Sequence, residues 1–96
     1  MVEIRTNCEN CNVALPSNSE DAMICAFECT FCKKCVDKIL QNVCPNCGGG
    51  FEKRPILRSE YLVKYPPSDK RIFKPIDEKQ FQQKLNRFKG VKPSER

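Results

Sequence analysis

A small zinc-stabilised α+β domain carrying an extended basic tail is the fold class this sequence predicts. Three observations support it: the chain has 96 residues, eight of them are cysteines confined to the first half, and these cysteines come as four close pairs. A chain of this length forms one domain with a modest apolar core, so something besides packing must stabilise it. The predicted organisation is a two-zinc domain over residues 1–50 and a proline-containing extended basic segment over 51–76 that packs on it. An amphipathic helix over 77–90 and a frayed end over 91–96 follow.

The pairs are Cys8/Cys11, Cys25/Cys29, Cys32/Cys35 and Cys44/Cys47; three are C-x2-C and one is C-x3-C. Ligands two apart suit a tight knuckle, in which both thiolates face one tetrahedral ion and backbone N–H groups donate to sulfur. In "CPNCGG" Pro45 fixes a backbone angle of the turn, and Gly48 can take the positive φ that lets the chain leave it. Knuckles work in twos, so four pairs make two four-coordinate sites. Iron–sulfur ligation fits less well, because eight residues separate Cys35 from Cys44 where a bacterial ferredoxin run has three. The amino terminus has no apolar run followed by a small-residue cleavage site. A reducing, cytoplasmic setting and free thiols are therefore expected.

In order, the spacing C-x2-C-x13-C-x3-C-x2-C-x2-C-x8-C-x2-C resembles the RING-finger cross-brace, a treble-clef type of zinc fold, with Cys where many RING fingers carry His. Ile24, Phe31 and Pro45 add to the likeness. Interleaved pairing gives site one as Cys8, Cys11, Cys32 and Cys35, and site two as Cys25, Cys29, Cys44 and Cys47. Consecutive pairing is the alternative. Interleaving is favoured because Cys29 and Cys32 are so close that two adjacent sites sharing this segment clamp it from both sides.

The intervening segments fit that plan. "PSNSED" is a polar loop, and "AMICAFEC" has the β-branched and aromatic content of a short hairpin. "VDKILQNV" places Val36, Ile39, Leu40 and Val43 on one face of a two-turn helix starting at Cys35. In the tail, prolines 55, 66, 67 and 75 forbid long helices, though Ser59 to Tyr65 has room for a helical turn or two. Ile56, Leu57, Leu62 and Phe73 read as anchors on the zinc domain, and packing is favoured over base stacking for Tyr61 and Tyr65. Asp77 with Gln80 forms a capping-box pattern and Ile76 with Phe81 a hydrophobic staple, so a helix is predicted from about Glu78 to Lys89, ended by Gly90 and Pro93. Its stripe of Phe81, Leu85 and Phe88 either docks on the head, the favoured reading, or binds a partner such as a second copy.

Together "NCENC", "ICAFECTFCKKC", "VCPNCGG", "KYPPS" and "RIFKP" are similar to a family of short bacterial proteins, domain-of-unknown-function family 1272. The resemblance implies a small RING-like zinc domain and no established activity. Extension to ubiquitin ligation is weakened at two positions. RING ligases use an apolar residue between the first two ligands and a basic residue past the last, where this chain has Asn10 and Gly48.

The chain has no histidine, and eight thiolates over two ions leave no open coordination position, so no enzyme activity and no small-molecule substrate are expected. No apolar run is long enough to span a membrane. The first 50 residues carry a formal −2 and the rest +7, but eight thiolates holding two divalent ions would take the head to −6 and the chain to +1. The basic tail thus answers its own head. The leading expectation is a non-catalytic two-zinc interaction module with a protein partner, or self-association through the C-terminal helix. Nucleic-acid binding through Lys53, Arg54, Arg58, Lys64, Lys70, Arg71 and Lys74 comes second. Redox sensing by a labile zinc thiolate comes third.

Overall fold

The strand-forming residues on either side of "CAFEC" pair with each other. In the computed structural model, which describes residues 2–96, β1 (Ala22–Ile24) and β2 (Thr30–Cys32) form an antiparallel hairpin with Met23 opposite Phe31. The link is tightened by Glu28, which takes a left-handed φ of 65° and donates its N–H to the Cys25 carbonyl. A third strand, β3 (Glu52–Lys53), pairs antiparallel with the free edge of β1, giving the order β2-β1-β3. Sequence reasoning missed β3 because two exposed charged residues show no alternation.

Helix α1 (Lys33–Cys35) follows β2 directly and widens into a π-type turn over Val36–Leu40. This differs from the expected two-turn helix. With i→i+5 bonding the turn is broader, so position i+4 comes back over position i while i+3 rotates away. Val36 and Leu40 are accordingly buried, whereas Ile39 is 43% exposed. The helix stops at Gln41 and Asn42, both left-handed, and this reversal returns Val43 to the interior. Asn tolerates such a backbone. Its side-chain Oδ1 accepts the Phe51 N–H at 2.9 Å. Phe51 meets Phe31 edge-on, with ring centroids 5.4 Å apart, in a core shared with Leu15, Leu40 and Val43.

Arg54, expected among the nucleic-acid contacts, is instead 1% exposed. Its guanidinium donates to the carbonyls of Arg5 at 2.6 Å, Pro16 at 2.9 Å and Leu15 at 3.4 Å. A planar fork satisfies three loop carbonyls at once, a task beyond a lysine ammonium. Desolvation lowers its pKa from the ordinary arginine value.

Beyond Arg54 the tail crosses the head as a strap. Ser68 N–H donates to the Ile4 carbonyl, Asn7 Nδ2 to the Ile72 carbonyl, Lys74 N–H to the Glu9 carbonyl and Ile76 N–H to Asn10 Oδ1, so the two segments run in the same direction. The expected apolar anchoring is corrected here: Ile56 and Phe73 are exposed, Leu57 and Leu62 are half-buried, and polar bonds hold the strap. Tyr61 and Tyr65 are also exposed, on and just after a 3-10 turn spanning Ser59–Val63.

Helix α2 (Glu78–Phe88) has the predicted N-cap, with Asp77 Oδ1 accepting from the N–H groups of Lys79 and Gln80. Phe81 and Leu85 are buried in the head's core, Ile76 packs beside them, and Phe88 lies against Gly48. The chain's own head therefore covers the stripe. Residues 91–96, expected to fray, form a 3-10 turn at Pro93–Glu95. Arg96 donates to the carbonyls of Val91, Asn42 and Gly48. No helix among the described residues is long and apolar enough to cross a membrane.

Two substitutions test this packing by denaturant unfolding of the metal-loaded chain. Gly48 has φ 78°, and a Cβ there would come within 2.7 Å of the Phe88 ring, so Gly48→Ala should cost at least ~1 kcal/mol. Arg54→Met keeps the volume but strands buried carbonyls. It should cost about 3 kcal/mol, and a change below ~0.5 kcal/mol would contradict the role given to the fork.

Candidate metal centres

Two chain reversals with the same backbone plan bring the outermost cysteine pairs into position. In the first, Asn12 N–H donates to the Cys8 carbonyl and Cys8 N–H to the Val13 carbonyl; in the second, Gly48 N–H donates to the Cys44 carbonyl and Cys44 N–H to the Gly49 carbonyl. The residue after the last cysteine is left-handed in both, Asn12 at 64° and Gly48 at 78°. Both knuckles thus read C-x-N-C followed by a residue that tolerates positive φ. The inner pairs come from the hairpin turn, Cys25 and Cys29, and from the β2–α1 junction, Cys32 and Cys35. At that junction Cys35 N–H donates to Cys32 Sγ at 3.5 Å.

These elements gather the thiols into two groups. Cys8, Cys11, Cys32 and Cys35 place all four Sγ atoms within 4.8 Å of one another, and so do Cys25, Cys44 and Cys47. The first pair therefore meets the third, and Cys25 of the second pair meets the fourth. Cys29 departs from expectation. Its Sγ reaches Cys25 and helps to raise that thiol but is not within 4.8 Å of all three of the second group, and it accepts a hydrogen bond from Asn46 Nδ2 at 3.3 Å. The physical reason is the extra residue of its C-x3-C spacing, taken up by left-handed Glu28 rather than by a knuckle turn.

Sequence reasoning missed the groups that hold these thiols. Asn10 Nδ2 donates to Cys35 Sγ at 3.5 Å while its Oδ1 accepts the Ile76 N–H, tying the first cluster to the residue before the α2 cap. Asn46 Nδ2 reaches both Cys29 Sγ and Glu9 Oε1, and Lys84 of α2 donates to the carbonyls of Pro45 and Asn46. Glu9 is buried; its carboxylate also accepts the Thr30 N–H and meets Arg5, so it links one knuckle to the other. The repeated C-x-N-C was the available signal. Asn10, read above only as a departure from a docking residue, has a structural task.

Electrostatics shows what the clusters lack. Burial pushes the Cys25 thiol up to about 11 and raises Cys32, Cys35 and Cys44 as well. At Cys11 desolvation is outweighed by hydrogen bonds from the Val13 backbone and the neighbouring thiols, which hold it below the ordinary value. Four thiolates cannot share so small a volume without a counter-charge. A divalent cation supplies it. A tetrahedral ion with bonds of about 2.3 Å to sulfur sets its sulfurs about 3.8 Å apart, and Cys11 Sγ lies 3.7 Å from Cys32 Sγ. The donor set and spacing of the first cluster fit such an ion.

Fold and clusters together define a small cysteine-rich α+β protein with two thiol groups able to hold metal ions. The chain belongs to the family described as "Protein of unknown function (DUF1272)", whose model matches residues 1–57. It is 51% identical over 75 residues to an uncharacterized protein of Rhizobium meliloti (strain 1021), covering 78% of this chain and 89% of that one. No solved structure matches it.

Removing the amide that holds a clustered thiol should weaken metal binding without abolishing it. Asn10→Ala is expected to lower the affinity of the first cluster about 10- to 100-fold, read by competition with a chromogenic chelator. An unchanged affinity would reduce the Asn10–Cys35 contact to packing.

Proposed function

We propose that the protein is a non-catalytic zinc-stabilised interaction module that works with a protein partner. The observation that carries the metal part is the first cluster, four thiols within 4.8 Å with one S···S distance of 3.7 Å. Zinc is the metal of choice for such a set because thiolate-only tetrahedral ligation suits it, and it needs no redox partner. Eight cysteines over two ions correspond to a RING-like cross-brace, with Cys29 as the fourth ligand of the second site. Ubiquitin-ligase activity is not part of this reading, because Asn10 holds Cys35 and the strap, and Gly48 lies under Phe88. The lack of histidine, the commonest general base, supports a binding role.

One observation favours a second reading, single-stranded nucleic-acid binding by the tail. Tyr61 and Tyr65 are exposed, and cations overlie both rings, Arg58 at 4.7 Å and Lys64 at 5.5 Å from the ring centroids. Aromatic faces with adjacent cations are what base stacking uses. Arg58 also pairs with Glu60, and Arg54 is buried, which removes charge from the surface first read as basic.

Metal and sulfide analysis of protein purified without added metal tests the main reading: two zinc ions per chain, no sulfide and no visible absorption are expected. Iron with colour would overturn it. The raised thiols sit protonated near neutral pH in the metal-free protein, so each must release a proton to bind. Affinity should therefore fall with falling pH, by roughly a decade per pH unit for each proton displaced. An affinity flat between pH 8 and pH 6 would exclude thiol ligation. For the tail, Tyr61→Ala with Tyr65→Ala should abolish binding to a single-stranded oligonucleotide that itself weakens steeply with salt. A salt-independent signal would remove that reading.

A further inference from the structure

The first 50 residues hold four basic side chains, and three of them, Lys33, Lys34 and Lys38, fall within six residues. The fold places all three along a groove of about 500 Å³ between α1 with its π-type turn and the chain that leaves the first knuckle. Each is exposed, and none enters an ion pair among the described residues. The other segment lining the groove is apolar, with Val13, 47% exposed, and Ala14 next to buried Leu15. Both segments are held in place. Ala14 bridges to Asn7, Leu15 N–H donates to the Thr6 carbonyl, the Leu15 carbonyl accepts from Arg54, and Lys33 N–H donates to the Asp21 carbonyl at 2.8 Å. A groove already in shape avoids the entropic cost of ordering it on binding.

We propose that this groove docks a peptide segment of a partner protein, one in which acidic residues flank a single apolar side chain. This rests on the reading of the chain as a protein-binding module and names the class of its partner. Charge complementarity carries it. The head is formally acidic, yet its cations gather where an apolar anchor can also be buried, and screening over about 8 Å makes those local ammonium groups count for more than the net charge. The lysines steer and select, while Val13, Ala14 and Leu15 supply the burial that holds the anchor. Asp21 and Asp37 also line the groove, and they decide the class of anion. A nucleic-acid strand is charged at every nucleotide and stacks its bases on rings, whereas this groove has two carboxylates and no aromatic side chain. A peptide can set its carboxylates against the lysines alone. Cys11 and Cys32 of the first cluster border the groove as well, so metal content is followed together with binding.

The test selects binders to the full purified chain, its metal content measured first, from a phage-displayed random peptide library. Enriched peptides are expected to carry aspartate or glutamate on both sides of one apolar residue. The best of them, labelled with fluorescein, should lose affinity steeply with salt, and in amide-resolved NMR spectra it should shift Val13, Ala14, Lys33 and Lys34. Lys34→Glu with Lys38→Glu should weaken it at least about tenfold and remove most of the salt dependence, and Val13→Asp should weaken it by a similar factor. Lys34→Arg with Lys38→Arg should bind as wild type does. All of these positions are exposed, so fold and metal content should stay unchanged in every variant. No enrichment at all would overturn the protein-binding reading and the inference with it. Enriched peptides without acidic residues, shifts confined to Tyr61 and Tyr65, displacement of the peptide by a single-stranded oligonucleotide, or loss of metal from the charge-reversed chain would overturn the inference alone.

Discussion

Four thiols within 4.8 Å of one another, two of which, Cys32 and Cys35, burial pushes above the ordinary thiol value, form a group that only a cation can hold as thiolates. Everything else in this small protein is arranged around that constraint. The hairpin, the β2–α1 junction and the two knuckles each end at cysteines, so each element stops where its ligands must converge. Between the clusters the chain has only "CAFECTFCKKC", and its two ends are committed to different sites. A core of ordinary size would not need that arrangement; a core this small does.

Polar side chains rather than apolar ones transmit the arrangement to the tail. Glu9, Asn10 and Asn46 sit inside the knuckles, where sequence patterning assigns only turn residues, and each contacts something distant: Thr30 and Lys74 for Glu9, Ile76 for Asn10, and Glu9 itself for Asn46. Arg54 does the same for the loop carbonyls at Arg5, Leu15 and Pro16. Buried polar groups with several partners specify a single arrangement in a way that interchangeable aliphatic contacts do not.

Features that depend on local chemistry were legible in the sequence. The Asp77 cap and the extent of α2 follow from nearest-neighbour rules, as does the reversal at Gly48, while "AMICAFEC" holds the first strand and the turn of a hairpin whose second strand lies beyond it at Thr30–Cys32. Interleaving was favoured by the closeness of Cys29 to Cys32; the first and third pairs do gather, while of the second pair Cys25 joins Cys44 and Cys47. What depended on distant contacts was not legible. Ile39 turned outward because the helix widened, Arg54 turned inward because three carbonyls needed donors, and Phe73 stayed out because hydrogen bonds held the strap. Cys29 shows the limit most clearly: one extra residue between ligands was visible, but not that the amide of Asn46 would take up the displaced sulfur.

The strap also has a kinetic meaning. Its bonds join residues 64 to 66 positions apart, among them Ile4 to Ser68, Asn7 to Ile72 and Asn10 to Ile76. Loops that long close at an entropic cost that no local contact offsets in advance. The hairpin and knuckles, built from near neighbours, are therefore positioned to form first, and the strap and α2 to settle last on a head already shaped. During that interval Phe81 and Leu85 have nowhere to pack, and the newly made chain passes through a stage in which its stickiest face is the one it has yet to cover.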